Sequence, residues 1–147
     1  MIDLDVFRDV MQTIAVEKGE FTFIGLFHRD GAPFGKWDVV VSAPWFEKGT
    51  LEPMKYIAQK LQDTLSVEQI MTLSRVATIE DDSPRLEALL KQMPVDDEPV
   101  IVRNATLFGV DVSEAHILRA KRPSQTTAVA AGSPGSALGP QVGPGGR

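Results

Sequence analysis

The chain has 147 residues, 20 of them acidic and 15 basic, a formal net charge of −5, two histidines and no cysteine. The missing cysteines exclude disulfides, thiolate nucleophiles and thiolate metal centres, and two histidines make a histidine-rich metal site unexpected. The acidic balance argues against a nucleic-acid partner, because that binding rests on Lys and Arg neutralising phosphate, and the densest basic run is the short "RAKR" at 119–122.

Leu4, Phe7, Met11 and Ile14 recur at three- and four-residue spacing, with Val10 beside them and Gly19 after them. That pattern predicts an amphipathic helix over 3–18 with glycine as its stop. The acidic opening "MIDLD" is unlike a signal peptide, and no apolar run approaches the roughly 18 residues of a spanning helix. The expected setting is the cytoplasm, without membrane contact.

"EFTFIGLFH" then reads as a strand, "RDGAPFG" as a loop and "KWDVVVSA" as the returning strand, ended by Pro44. A helix after Thr50 would turn Leu51, Met54, Ala58, Leu61 and Leu65 inward. Ser66 and Gln69 have the spacing of a capping box at the head of a short helix, and "RVATIE" reads as a third strand. Ser83 followed by Pro84 marks another helix start, presenting Leu86, Leu89, Leu90 and Met93. "VIVRNATLF" and "EAHILRAK" complete the sheet as fourth and fifth strands. The order α-β-β-α-α-β-α-β-β, with hairpins at both ends, predicts an α+β domain over 1–122 whose mixed or antiparallel five-stranded sheet is covered on one face. From Pro123 the composition turns to Gly, Pro, Ala and Ser with Arg147 as the only charge, which predicts a disordered tail over 123–147.

Pairing residues 21–28 with 36–43 around a seven-residue loop sets Phe27 opposite Trp37 and Gly25 opposite Val39. Because side chains alternate, Phe21, Phe23, Phe27, Trp37, Val39, Val41 and Ala43 would share the core face. Asp38 would then join His28, Lys36 and Ser42 on a more polar face. Ser42, His28 and Asp38 are the residue types of a nucleophilic triad, but Ser42 would lie six positions from His28, roughly 20 Å at about 3.3 Å per residue, too far for a base to reach a nucleophile. Asp38 with His28 remains as a surface ion pair or a proton-transfer dyad.

The acidic clusters Asp81–Asp82 and Asp96–Asp97–Glu98 sit where turns are expected and read as solvated charge rather than a magnesium site. His116 reads as a structural histidine among apolar neighbours. No G-x-x-x-x-G-K-[ST] or G-x-G-x-x-G is present, so no nucleotide cofactor is expected, nor any metal. Of ten aromatic residues, eight lie between Phe21 and Tyr56, which turns attention to Phe34, Trp45, Phe46 and Tyr56 as a recognition patch or dimer contact. The function expected is a cytosolic binding domain that self-associates or joins a protein assembly. The alternative is a small hydrolase, metal-assisted or not, using Asp38 and His28.

Overall fold

The computed structural model describes residues 2–96 and 98–123. Helix α1 spans Leu4–Lys18 and begins where Asp3 accepts hydrogen bonds from the Asp5 and Val6 amides at 2.9 and 3.4 Å, which satisfies two of the donors a helix start leaves bare. It stops at Gly19, whose φ of 126° is open to glycine and whose missing side chain admits the Trp45 ring, 3.2 Å from where a Cβ would stand.

Strands β1 (Phe23–Arg29) and β2 (Trp37–Ser42) form the first hairpin. Helices α2 (Glu52–Thr64) and α3 (Val67–Ile70) then carry the chain to β3 (Leu73–Thr78). Helix α4 (Pro84–Gln92) precedes the second hairpin, β4 (Val100–Leu107) and β5 (Val110–Ala120). The sheet order is β3-β2-β1-β5-β4, with β2 and β3 parallel and every other pair antiparallel. The fold is therefore α+β, built on a mixed five-stranded sheet. The reading of 123–147 as disordered falls, beyond Pro123, outside the described residues.

The sheet is covered on both faces, not one. On one side Phe7, Val10, Met11 and Ile14 of α1 and Ile57 and Leu61 of α2 pack on Leu26, Trp37, Val39, Val41 and Leu118. On the other, Leu86 and Leu89 of α4 pack on Phe23, Phe27, Val40, Val112, Ala115 and Ile117. All six residues of β2 are consequently buried. The three valines in a row carry that signal, since a strand with core on both sides loses its alternation.

The first hairpin is shifted by one residue from the expected register: Phe27 faces Asp38, and Gly25 faces Val40. The loop still has seven residues, but it runs 30–36, so Trp37 and Asp38 exchange faces. Gly25 sits between two aromatic rings that meet edge to face at 6.1 Å, and a Cβ there would stand 2.9 Å from Phe27 and 3.0 Å from Phe23. In α2 Leu61 is buried as expected, as is Leu65 after it, but Pro53 and Ile57 take the places expected of Met54 and Ala58, and Leu51 is exposed. Strand β5 starts earlier than expected because the two-residue turn Phe108–Gly109, both at positive φ, closes a tight hairpin. The capping box at Ser66 and Gln69 is formed.

At the end of the sheet where β2 and β5 finish, Asp81 gathers three partners. It accepts from Thr22 Oγ1 at 2.6 Å, from Ser42 Oγ at 3.4 Å and from Arg122 at 2.8 Å. Thr22 and Ser42 are fully buried, so Asp81 answers hydroxyls that water cannot reach. Asp81→Ala is expected to cost about 1–3 kcal/mol per orphaned hydroxyl in urea unfolding, whereas Asp82→Ala next to it, an exposed carboxylate, is expected to stay within about 0.5 kcal/mol.

Candidate functional site

Asp38 lies at the start of β2 with its side chain 4% exposed. Burying a carboxylate is costly unless it is paired, and two arginines pair it: Arg29 Nε at 2.5 Å and Arg75 Nε at 3.2 Å. Arg29 comes from β1 and Arg75 from β3, so the carboxylate ties the three strands together. His28 is on the other face of the hairpin, its ring 5.5 Å from that of Trp37. The expected Asp38–His28 pair is not brought together.

His28 has different company. A bulge in β5, between Val112 opposite Arg29 and Glu114 opposite His28, pushes Ser113 inward until its Oγ lies 2.7 Å from His28 Nδ1. His28 Nε2 lies 3.3 Å from the Pro33 carbonyl. Serine within reach of an oriented histidine is the geometry of an activated nucleophile, and the sequence spacing hid it because 85 residues separate the pair. Neither residue borders the two clefts described below. The pair ties β1, β5 and the 30–36 loop together. The second histidine, His116, also meets Trp37, edge to face at 5.3 Å, and donates to Glu114 at 2.6 Å, which holds that carboxyl below the ordinary glutamate value.

Of the expected aromatic patch, three members close the core. Trp45 meets Phe46 at 4.7 Å and Phe21 at 5.9 Å, Tyr56 adjoins it at 6.2 Å, and Trp45 Nε1 donates to the Gly19 carbonyl at 3.0 Å. Phe34 is apart from them, in the loop before β2, and is fully exposed at 101%. That loop is held along its length: Asp30 N donates to Asp111 O and Ala32 N to Arg29 O, each at 3.0 Å, and Lys36 N to Pro33 O at 3.1 Å. Lys36 Nζ also donates to the Met71 carbonyl, which brings the loop against the end of α3; Met71 there and Val67 at the start of the helix are exposed at 61% and 76%.

Clefts lie elsewhere. One of about 450 Å³ opens between α1 and the β1–β5 pair, bounded by Arg8, Asp9, Gln12, Glu20, Phe21 and Arg119 among others. Another of about 170 Å³ lies between α2, α3 and β3. Among the described residues no group of three or more His, Asp or Glu side chains is placed to hold a metal ion. Asp82 is paired with Lys48 and Asp96 with Lys121, and Asp97 falls outside the described residues.

Asp38→Asn removes the charge that both arginines answer. It is expected to lower stability by about 1–3 kcal/mol in chemical denaturation, discounted toward the lower end because both arginines are partly in water, while leaving the His28–Ser113 contact intact. A second prediction concerns Glu17, which accepts from Lys60 at 3.0 Å and from Tyr56 across the α1–α2 contact. Those bonds, from Lys60 foremost, hold Glu17 below the ordinary 4.5 and raise Lys60 above 10.5. The lowered carboxyl adds stability above 4.5 that is lost as the pH falls through its shifted value, and the raised ammonium adds stability below 10.5 that is lost as the pH climbs through its own. Glu17→Gln should therefore lower the melting temperature near neutrality, with the gap from the native chain closing in acid, as thermal scans across pH would show.

Set against protein-family models, curated proteins and solved structures, the chain matches none.

Proposed function

We propose that this domain works by binding protein rather than by chemistry, and that self-association through the Phe34 corner is its simplest form. The observation that carries this reading is a fully exposed phenylalanine on a loop tied down by His28, Asp111 and Met71. An exposed aromatic on a held loop loses little conformational freedom when it docks, which is the economy of preorganisation. Met71, whose carbonyl anchors the loop through Lys36, and Val67 one turn before it are exposed apolar residues as well, and contiguous exposed apolar surface is a mark of partner sites. The absence of cysteine fits a cytoplasmic setting for that work. The hydrolase alternative gains no support, since Asp38 is engaged by two arginines and separated from His28 by the sheet.

Sedimentation equilibrium tests the reading. The native chain is expected to show a concentration-dependent mass above the monomer, and Phe34→Ser to return it to the monomer with stability changed by less than about 0.5 kcal/mol. A native chain that stays monomeric up to the highest soluble concentration would remove self-association from the reading. Trp45→Ala, by contrast, should lower stability by about 3–5 kcal/mol and leave association unaltered in whatever fraction still folds.

A further inference from the structure

We infer that the outer edge of β3 is a docking site for an extended, acidic segment of a partner protein, added to the sheet as a sixth strand. This rests on the protein-binding reading above and names the partner's chemistry.

The sheet has two edges, β3 and β4. Strand β4 is poorly suited to pairing: Asn104 interrupts it at a φ of 52°, and Arg103 is already engaged by Glu114 at 3.5 Å. Strand β3 is bulged at Ser74, where Leu73 faces Trp37 and Arg75 faces Asp38, and then runs regularly from Arg75 to Thr78 beside β2. Among the described residues nothing pairs with its other side, so the outward amides and carbonyls of this stretch are open to an added strand.

The two flanks of that edge differ in chemistry. Toward α2 lies the cleft of about 170 Å³, lined by the apolar Ala58, Leu61, Ile70, Leu73 and Val76 and also by Gln62, Ser74 and Arg75. Toward the opposite face stands Arg75, its side chain 53% exposed. One guanidinium, that of Arg29, is enough to neutralise Asp38; Arg75 adds a second, so the pairing leaves one positive charge in excess at this edge. Arg75 uses only Nε on Asp38. Its two terminal nitrogens form the edge that takes a carboxylate in bidentate fashion, and among the described residues no other side chain makes a hydrogen bond or ion pair with them.

Side chains of an added strand alternate between faces. A segment lying along Arg75–Thr78 would thus place every second residue over the apolar cleft and the residues between them toward Arg75. The matching sequence alternates apolar residues with Asp or Glu. A second copy of this chain meets the requirement poorly, because β3 itself, Leu73–Thr78, contains no acidic residue to meet Arg75.

The test is a titration of the isotope-labelled full chain, followed by amide chemical shifts, with capped octapeptides that alternate Glu with Val or Lys with Val. The Glu–Val peptide is expected to move the Ser74–Thr78 amides and to bind at least tenfold more tightly than the Lys–Val peptide. N-methylation of alternate Glu–Val amides should abolish the shifts. Arg75→Glu should reverse the charge preference, and Arg75→Gln, which keeps the side chain's length without adding an acid beside Asp38, should erase it. Retention of the Glu–Val preference in either variant, binding of the N-methylated peptide, or shifts centred on β4 would overturn the assignment. If the Glu–Val peptide fails to bind while the native chain still self-associates through Phe34, the β3 assignment falls and the protein-binding reading stands; failure of both sinks both.

Discussion

Burial of β2 on both faces is the constraint from which most of this structure follows. Three consecutive valines leave no face of the strand for water, so α1 and α2 must cover one side and α4 the other. Asp38 is the only carboxylate in that strand, and a charge enclosed there must be answered. Arg29 and Arg75 answer it from the two neighbouring strands. The same residue that would suggest an acid–base group is thereby a clamp across three strands, and the arginines it holds stay partly exposed to water.

The polar groups on the opposite face work similarly. Both histidines of the chain pack against Trp37, and each has an oriented partner, Ser113 for one and Glu114 for the other. These contacts set the position of the β5 bulge and of the 30–36 loop. Phe34 is displayed on a loop whose neighbours are fastened, so the function proposed for it depends on groups behind it in the sheet.

Much of the architecture was legible in the residues. The α1 stripe, the capping box at Ser66 and Gln69, the Ser83–Pro84 start and the order of the five strands all rest on short-range chemistry, where periodicity and capping act directly, although at α4 it is Pro84 that marks the start and Ser83 makes no side-chain cap. Register was not legible. A seven-residue loop accommodates 29–35 or 30–36 equally well, and a one-residue slip moves every side chain to the other face. Val39–Val40–Val41 was the available clue, because a continuous apolar run belongs to a strand covered twice. The candidate site suffered most from this, since the face of Asp38 decides its neighbours. Ser113 lay beyond local reasoning altogether: only a bulge in a distant strand brings it to His28. Among the aromatics, sequence could locate the cluster but not separate Trp45, Phe46 and Tyr56, which close the core, from Phe34, which does not.

The parallel pairing of β2 and β3 carries a kinetic corollary. Both hairpins close over short connections, whereas β3 can join only after the chain from Ala43 to Thr72 has looped back, and that closure carries an entropy cost growing with its length. With one strand neighbour and a half-exposed outer row, β3 belongs to the least cooperative part of the sheet. Its opening need not disturb the β1–β5 centre, so this margin can detach and reattach within the native state. Amide hydrogens of β3 would then exchange with solvent well before those of β1, and the domain would breathe from that side first.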